Sequence, residues 1–586
     1  MKVAFFNILN EARNGEQETL MRLQYTFSKQ GHTFLLLDKD GYVISEHPDK
    51  GLYVEDAGVD YLFTCNGVET SLMVFPDVFS VFLHWAPFGF FENSKALFYM
   101  QMLHSFDAFA YSSEKNIINE FLQIPCSSIP FFGPSVPEDY IVKPRFQKKR
   151  KLFYVGINFE RAMGNMRYGD LLKELDKSGC LEIYGPRKVY GRRNLWSDFR
   201  SYRGEIPFDG STIVKRINEA GVCLALNSPM HNDALAVTNR LYEAAAAGAV
   251  IISDDNELIH AYFGDSVFYV DCDLGEGELS QQIIDILEFL NNHPCEAYEM
   301  ARKSQEVFLN RLSMDRFVND LNRSVECTLQ RVSNVEYQPD LIDVVCFLED
   351  EQDYKRISEQ LRRQYYQNIH LIIVANPCVY ASLSINYPHS FIERSIEGEG
   401  RSLAQAQKCM LGQYFFLMDG FSLLHARHIY KNHEVLTKRP ELFAYSGCYL
   451  KKSKKARERY IILNETPISR SEFLSFSNVS FHTSSGKSHT YSANLSVRFP
   501  KSAGLFRREI LTIVDEGELQ QIHSDVHQYL ACCSIIKESM MGRFTFALTA
   551  GYSDNSFDSV KDAAEKNVKT TALDLQNAFW DYTFEA

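Results

Sequence analysis

Apolar runs alternate with helical patterns along the chain, in three successive stretches. In the first, residues 3–8 read as a strand, 16–31 as an amphipathic helix, 33–37 as a second strand, and 61–64 and 78–83 as further strands. Strand and helix in turn predict a parallel, doubly wound sheet, whose ligands sit at the carboxyl ends of its strands. The segment 142–151 (VKPRFQKKRK) is charged and poor in apolar residues, so it predicts a linker. A second alternating stretch runs to about residue 275, and helical patterns from 279 to about 325 close it. After a polar link at 331–340 the alternation restarts, with a strand at 341–348, a helix at 353–364 and a strand at 369–375. The pattern predicts an α/β chain of three units, 1–145, 146–330 and 341–586.

The densest chemistry lies in residues 227–255 (NSPMHNDALAVTNRLYEAAAAGAVIISDD), which read as loop, helix, tight turn and buried strand. Thr238 and Asn239 open the helix, their side chains satisfying free N–H groups of its first turn. Residues 241–247 have the alanine content of a strong helix former, Gly248 ends the helix in a left-handed conformation, and 250–252 form a short apolar strand. Arg240 and Glu243 stand three apart and share a face. A helix N-terminus after a polar loop favours phosphate, through its free N–H groups and its dipole. An arginine beside it adds a bidentate donor, and a carboxylate one turn later suits ribose hydroxyls. That combination fits a nucleoside diphosphate. The same residues also read as a capped, buried helix with one internal ion pair, and alone they leave both readings open.

The run 238–255 (TNRLYEAAAAGAVIISDD) resembles the donor-site signature of GT-B glycosyltransferases, in particular the branch related to spore-maturation glycosyltransferases. The shared pattern is an Arg-x-x-Glu helix, a small-residue run ending in Gly, and an apolar strand closing on acidic residues. Two further blocks agree in the same order. Residues 151–158 (KLFYVGIN) are a strand ending in Gly156, followed by Arg161, Arg167 and a helix from about 168. Residues 181–186 (LEIYGP) resemble the next strand, and 202–206 (YRGEI) the segment after it. The resemblance covers roughly residues 1–330. It implies two Rossmann-like domains in a GT-B arrangement, an acceptor domain and a nucleotide-sugar donor domain, with a terminal helix crossing back to the first. The donor-binding residues it implies are Gly156, Asn158, Arg161, Asn227, His231, Thr238, Asn239, Arg240 and Glu243, with Arg167 as a further cation. His231 reads equally well as an exposed loop histidine.

A transferase of this kind also needs a base for the acceptor hydroxyl. His84 follows the apolar run 81–83 in the turn His84-Trp85-Ala86-Pro87, at a strand end that faces an interdomain cleft. It is the first candidate base, with a purely structural histidine as the alternative. Glu16 is the second candidate; with Asn14 and Gly15 it resembles the acceptor-side loop of the family, and Asn66-Gly67 line the same cleft.

The third unit resembles a family-2, GT-A glycosyltransferase, from the run LRRQYYQNIHLIIVAN to residues 401–419 (RSLAQAQKCMLGQYFFLMD), 505–509 (LFRRE) and Ser524-Asp525 at the place of its catalytic base. It departs from that family where the metal should bind. An Asp-x-Asp pair holds Mg²⁺ or Mn²⁺ because a hard cation wants several oxygen ligands, yet the motif here reads Asp419-Gly420-Phe421. The aspartate expected after the second strand is also missing, since Asn376-Pro377 stand there. These losses imply a GT-A-like domain that serves acceptor binding or assembly; the competing reading has Asp419 rebuild a metal site with Asp350 or Glu351, and Asp525 as base. Residues 451–500, rich in polar residues, read as an insertion or a flexible acceptor loop.

Composition narrows the field. At 586 residues the chain exceeds what one core serves, and 45% hydrophobic with 23% charged residues is a globular composition. A net charge of −14 opposes broad nucleic-acid binding, which needs a clustered basic surface. The short basic runs at 148–151 and 451–455 read as solvated linker or loop charges, with attraction to an anionic membrane as the minority reading. No run reaches the ~18–20 apolar residues of a membrane span, and the start of the chain lacks a signal-peptide pattern. The 13 scattered cysteines form no paired C-x-x-C and imply reduced thiols, without structural zinc. The expectation is a cytoplasmic glycosyltransferase, met by any lipid-linked acceptor at the inner membrane face, needing no metal or other cofactor in its GT-B half. Its partners would be a nucleotide sugar and a glycan or glycoconjugate acceptor of a surface polysaccharide pathway. Two rivals remain: transfer to nucleic acid, as phage DNA glycosyltransferases perform, and a non-catalytic carbohydrate- or partner-binding scaffold.

Overall fold

The computed structural model describes residues 1–6, 15–38, 41–65, 73–74, 78–84, 107–111, 127–130, 135–156, 168–189, 192–193, 196–228, 231–232, 236–334, 336, 338–419, 424, 426–438, 444–446, 450–452, 460–462, 478–482, 488–492, 504–514, 516–523, 526 and 530. The first unit comprises β1 (Lys2–Phe6), α1 (Gly15–Lys29), β2 (Thr33–Leu37), β3 (Tyr61–Cys65), the short β4 (Met73–Val74), β5 (Phe79–His84), β6 (Ala108–Tyr111) and β7 (Ser127–Pro130). Six of the strands form one sheet in the order β2-β1-β3-β5-β6-β7, each neighbouring pair parallel. Both faces are covered, which is why its strands read as unbroken apolar runs rather than alternating ones. Val3, Phe5 and Phe63 pack with Leu23 and Phe27 of α1 on one face, and Ala4, Phe6 and Leu62 pack on the other.

The second unit contains β8 (Lys151–Val155), α2 (Gly169–Ser178), β9 (Leu181–Tyr184), a small hairpin of β10 (Lys188–Val189) and β11 (Arg192–Arg193), β12 (Tyr202–Gly204), α3 (Thr212–Ala220), β13 (Gly221–Leu224), α4 (Asn239–Ala246), β14 (Val250–Asp254), α5 (Glu257–Phe263) and β15 (Phe268–Val270). Its sheet runs β12-β9-β8-β13-β14-β15, again parallel throughout. Strand order reverses between β8 and β13, and a crevice at such a switch point is where open α/β sheets bind ligands. Two successive Rossmann-like sheets of this kind are the GT-B architecture.

Three helices follow, α6 (Glu276–Asn292), α7 (Pro294–Arg311) and α8 (Met314–Ser333). The last crosses back to the first unit, where Phe317, Val318, Leu321 and Val325 are buried with Phe5 and Phe63. The Tyr61 hydroxyl donates to Asn322 Oδ1 of this helix at 2.7 Å. The linker between the units is bonded to the end of α4: Val142 N–H donates to the Ala246 carbonyl at 3.1 Å, and Gln305 Nε2 donates to Val142 O at 2.8 Å and Ala246 O at 2.9 Å. The expectation of solvated charges at 148–151 fails for Arg150. It is 4% exposed, because Nη1 reaches the carbonyls of Gln147 and Leu290 at 2.6 and 3.1 Å.

The third unit carries β16 (Ile342–Phe347), α9 (Glu351–Arg363), β17 (Ile369–Ala375), β18 (His389–Glu393), β19 (Tyr414–Met418), β20 (Ala444–Ser446), β21 (Leu450–Lys452), β22 (Tyr460–Ile462), β23 (Asn478–His482), β24 (Ser488–Ser492) and β25 (Gly504–Arg507). Its main sheet runs β18-β17-β16-β19-β25-β20, with β25 antiparallel to both neighbours. Within the polar stretch 451–500, β22 pairs with β4 of the first unit and β23 with β24. A buried ion pair, Arg427 with Asp107, also joins the two units, and Arg427 Nη2 donates to Val78 O at 3.2 Å. These contacts lie where β5 and β6 begin, opposite the carboxyl end that holds His84. Among the described residues no helix is long and apolar enough to cross a membrane.

Candidate active site

The crevice between β8 and β13 is lined by Gly156 on one side and Asn227 on the other. Gly156 donates its N–H to Tyr184 O at 3.2 Å, and the nearest atoms a Cβ there would meet are those of the Tyr154 phenol, at 3.4 Å and beyond. The bare backbone therefore leaves room at the crevice rather than relieving a clash. Gly185, at the end of β9, is different: a Cβ would lie 2.3 Å from Gly156 O and 2.6 Å from Trp196 Nε1.

Asn227 organises the far wall. It is 1% exposed; its N–H donates to Asp254 Oδ1 at 2.7 Å, its Oδ1 accepts the Thr238 N–H at 2.9 Å, and its carbonyl accepts the Tyr168 hydroxyl at 2.9 Å. Its Nδ2 is buried with no hydrogen-bond partner. Thr238 caps α4 by position, but its side chain does not bond the first turn. The expected cap is absent: Asn227 takes the N–H of Thr238 itself from the preceding loop, and Thr238 Oγ1 is left buried with no partner. Two donors without acceptors stand side by side at the mouth of a helix whose first N–H groups are open. Leaving such groups dry costs about 1–3 kcal/mol each, so an oxygen-rich ligand is what they suit.

Arg240 lies on the same mouth. Nη2 donates to Leu226 O at 3.1 Å, and the guanidinium sits 4.8 Å over the Tyr154 ring, which holds the cation at the strand ends. Arg240 and Glu243 do not form the internal pair that their spacing suggested. Glu243, 3% exposed, accepts instead from Arg22 Nη2 of α1 at 3.0 Å. Burial pushes the Glu243 carboxyl up, and the charges of Arg22 and Arg240 pull against it. His231 Nδ1 is bonded to Ser228 Oγ at 2.6 Å, and Asn232 Nδ2 donates to Asp254 Oδ2 at 2.5 Å. The acidic end of β14 therefore holds Asn227 and Asn232 of the polar loop, a role the sequence does not reveal although it shows the Asp254-Asp255 pair. Tyr168, also missed, is left-handed at φ 56°, and is the only such non-glycine residue among those described.

His84 ends β5 in register with Tyr111 of β6, and Glu16 is the second residue of α1; the side chains of both lie outside the described residues. Asn14, Asn66, Gly67, Asn158, Arg161, Arg167, Gly420, Phe421 and Asp525 also fall outside them. Asp419 directly follows β19. The two carboxylates weighed as its helpers are engaged by their own helix: Asp350 accepts the Asp353 N–H at 2.9 Å, and Glu351 pairs with Lys355 at 2.8 Å. Among the described residues no group of three or more His, Cys, Asp or Glu is placed to hold a metal ion.

Residues 167–323 match the glycosyl transferase-like family. No curated protein matches the chain. Similar solved structures include an alpha-glucosyltransferase in complex with UDP and a 13-mer DNA containing a HMU base, at 11% identity over 56% of this chain and 99% of that one, TM-score 0.39. Others are a glycosyltransferase from Rickettsia africae ESF-5, at 12% identity over 56% and 98%, TM-score 0.35, and spinosyn forosaminyltransferase, at 13% identity over 56% and 99%, TM-score 0.30. The matched span holds α4 and the polar loop before it, and the chain is an α/β enzyme of the transferase class, glycosyl transferase-like over residues 167–323.

Proposed function

We propose that the chain moves a sugar from a nucleotide-sugar donor to a hydroxyl of a glycan or glycoconjugate acceptor, without a metal in its GT-B half. The observation that carries this reading is the pair of buried donors, Asn227 Nδ2 and Thr238 Oγ1, which have no partner and stand beside Arg240 at the start of α4. A leaving diphosphate needs its growing charge met by fixed donors and cations in a cleft, and preorganised donors do this without reorganising during the reaction. Asn227, Thr238, the Asn239 amide and Arg240 supply that set, with Gly156 admitting the phosphates to the backbone and Arg161 and His231 as further contacts. Glu243 takes the ribose hydroxyls. His84, at the carboxyl end of the first sheet, removes the acceptor proton, with Glu16 as the alternative base. Closure of the two units around the donor excludes water and limits hydrolysis. The third unit, whose motif reads Asp419-Gly420-Phe421 where a second aspartate would hold a metal, serves acceptor binding or assembly. The setting we infer is the cytoplasm, at the inner face of a membrane that presents the acceptor.

A transfer assay with labelled UDP-, GDP-, CMP- and dTDP-sugars tests this reading, run in EDTA against polysaccharide, lipid-linked and hydroxymethylated DNA acceptors. Label entering a glycan acceptor in EDTA, and lost in His84→Ala while donor binding persists, is the expected result. Label entering only the DNA would move the acceptor to the nucleic-acid rival. No transfer and no donor binding would leave the scaffold rival.

A further inference from the structure

The first unit reaches into the donor unit at one buried point. Arg22 of α1 is fully buried, yet every group it bonds from the other unit belongs to the segments around α3 and α4. Its Nε donates to Gly210 O at 2.9 Å and its Nη2 to Glu243 Oε1 at 3.0 Å. A third contact, Glu18 at 3.5 Å, comes from its own helix. The Nη1 group is buried without a hydrogen-bond partner, and the bond to Glu243 uses only Oε1. The second oxygen of the Glu243 carboxylate is thus left for a ligand, and a carboxylate is what accepts the hydroxyl hydrogens of a ribose diol.

We propose that Arg22 is a positioning residue of the donor site, lent by the first unit to hold the Glu243 carboxylate for the ribose hydroxyls of a nucleoside diphosphate. This rests on the donor site proposed above. Burial pushes the Glu243 carboxyl up and the Arg22 charge opposes that, so the arginine favours the ionised form that accepts from hydroxyls. The donor site is then complete only while the two units are together, because Arg22 enters from a helix 221 residues away in sequence. Loss of this contact on opening would weaken the grip on ribose without touching the diphosphate contacts of Arg240 and Asn227.

Calorimetry in EDTA tests it, with UDP, GDP, CDP and ADP, and then the 2′,3′-dideoxy form of whichever binds wild type best. Wild type should favour the ribonucleotide by about tenfold, as expected for hydrogen bonds to charged groups. Arg22→Gln should lose that preference by weakening the ribonucleotide alone, with dideoxy binding held within about twofold, and Arg22→Lys should restore part of it. A variant that weakens both nucleotides equally would show a merely structural arginine and overturn the inference, as would an unchanged ribonucleotide affinity. Should Arg22→Gln fail to fold, Arg22→Lys decides: its charge without the planar fork should lower the preference, and an intact preference would refute us. A wild type that binds a diphosphate without regard to its hydroxyls overturns this inference while the proposed function stands. A wild type that binds none of the four defeats both.

Discussion

Asn227, Thr238 and Arg240 carry the proposed donor site, and each differs in how far the sequence reveals it. Arg240 was evident from its place in the first turn after a polar loop, since any helix start concentrates N–H groups there. Thr238 holds the N-cap position that the sequence gives it, but its side chain bonds no first-turn N–H, and its own N–H goes to Asn227, eleven residues earlier. Arg22 was invisible, as no local pattern connects α1 with Glu243. Substituting Arg240→Ala should lower diphosphate affinity by about tenfold or more, the worth of a charge-assisted hydrogen bond, and equilibrium binding in EDTA measures it. The Glu18 carboxyl allows a prediction in pH. Burial raises it from 4.5 to about 7, against the charge of Arg22 and with Glu243 and Asp209 adding to the rise. Between those values the folded protein holds a proton that the unfolded chain has released, so its contribution to stability is full below 4.5 and is lost as pH rises toward about 7. The melting temperature of Glu18→Gln should therefore show a smaller fall across this window than wild type, and equal slopes would contradict the assignment.

Elements were more legible than side chains. Strands at 33–37 and 369–375 coincide with β2 (Thr33–Leu37) and β17 (Ile369–Ala375), because strands buried on both faces leave continuous apolar runs. What the pattern could not give was strand order, since hydrogen-bonding neighbours such as β8 and β13 lie far apart in sequence and share no local signal. The linker shows the same limit: its charge suggested solvent, while the carbonyl and N–H of Val142 are bound to the end of α4. Gly248, read from sequence as the helix stop, has φ 59°, and a Cβ there would come within 2.8 Å of Pro144. At the crossing helix, Phe317 is fully buried in the first unit's core. Phe317→Ala should cost about 3–5 kcal/mol, seen as a lower denaturant midpoint, and a change near zero would mean that α8 does not anchor the first unit.

At the scale of the molecule, the two Rossmann-like sheets are tied by α8, by the linker and by Arg22, and the third unit is tied to the first through Arg427 and Asp107. That contact lies away from the proposed donor crevice, so breaking it should leave donor binding unchanged. Arg427→Ala leaves a buried carboxylate without its arginine, a loss of about 3–5 kcal/mol. It should speed proteolytic cleavage in the link at 331–340 while donor affinity holds; unchanged cleavage would show that the pair does not hold the third unit in place. The charge balance of −14 argues against nucleic acid as a bulk partner, but an acceptor is chosen by the cleft and not by net charge. The central claim, a metal-independent donor site at the mouth of α4, is tested most directly by thermal unfolding of wild type and Arg240→Ala with UDP-, GDP-, CMP- and dTDP-sugars, in EDTA and in Mn²⁺. A ligand that binds only the native state raises the melting temperature; the predicted result is a rise with one donor in EDTA that disappears in Arg240→Ala. A rise that needs Mn²⁺ and survives the substitution would put donor binding in the third unit and contradict the claim.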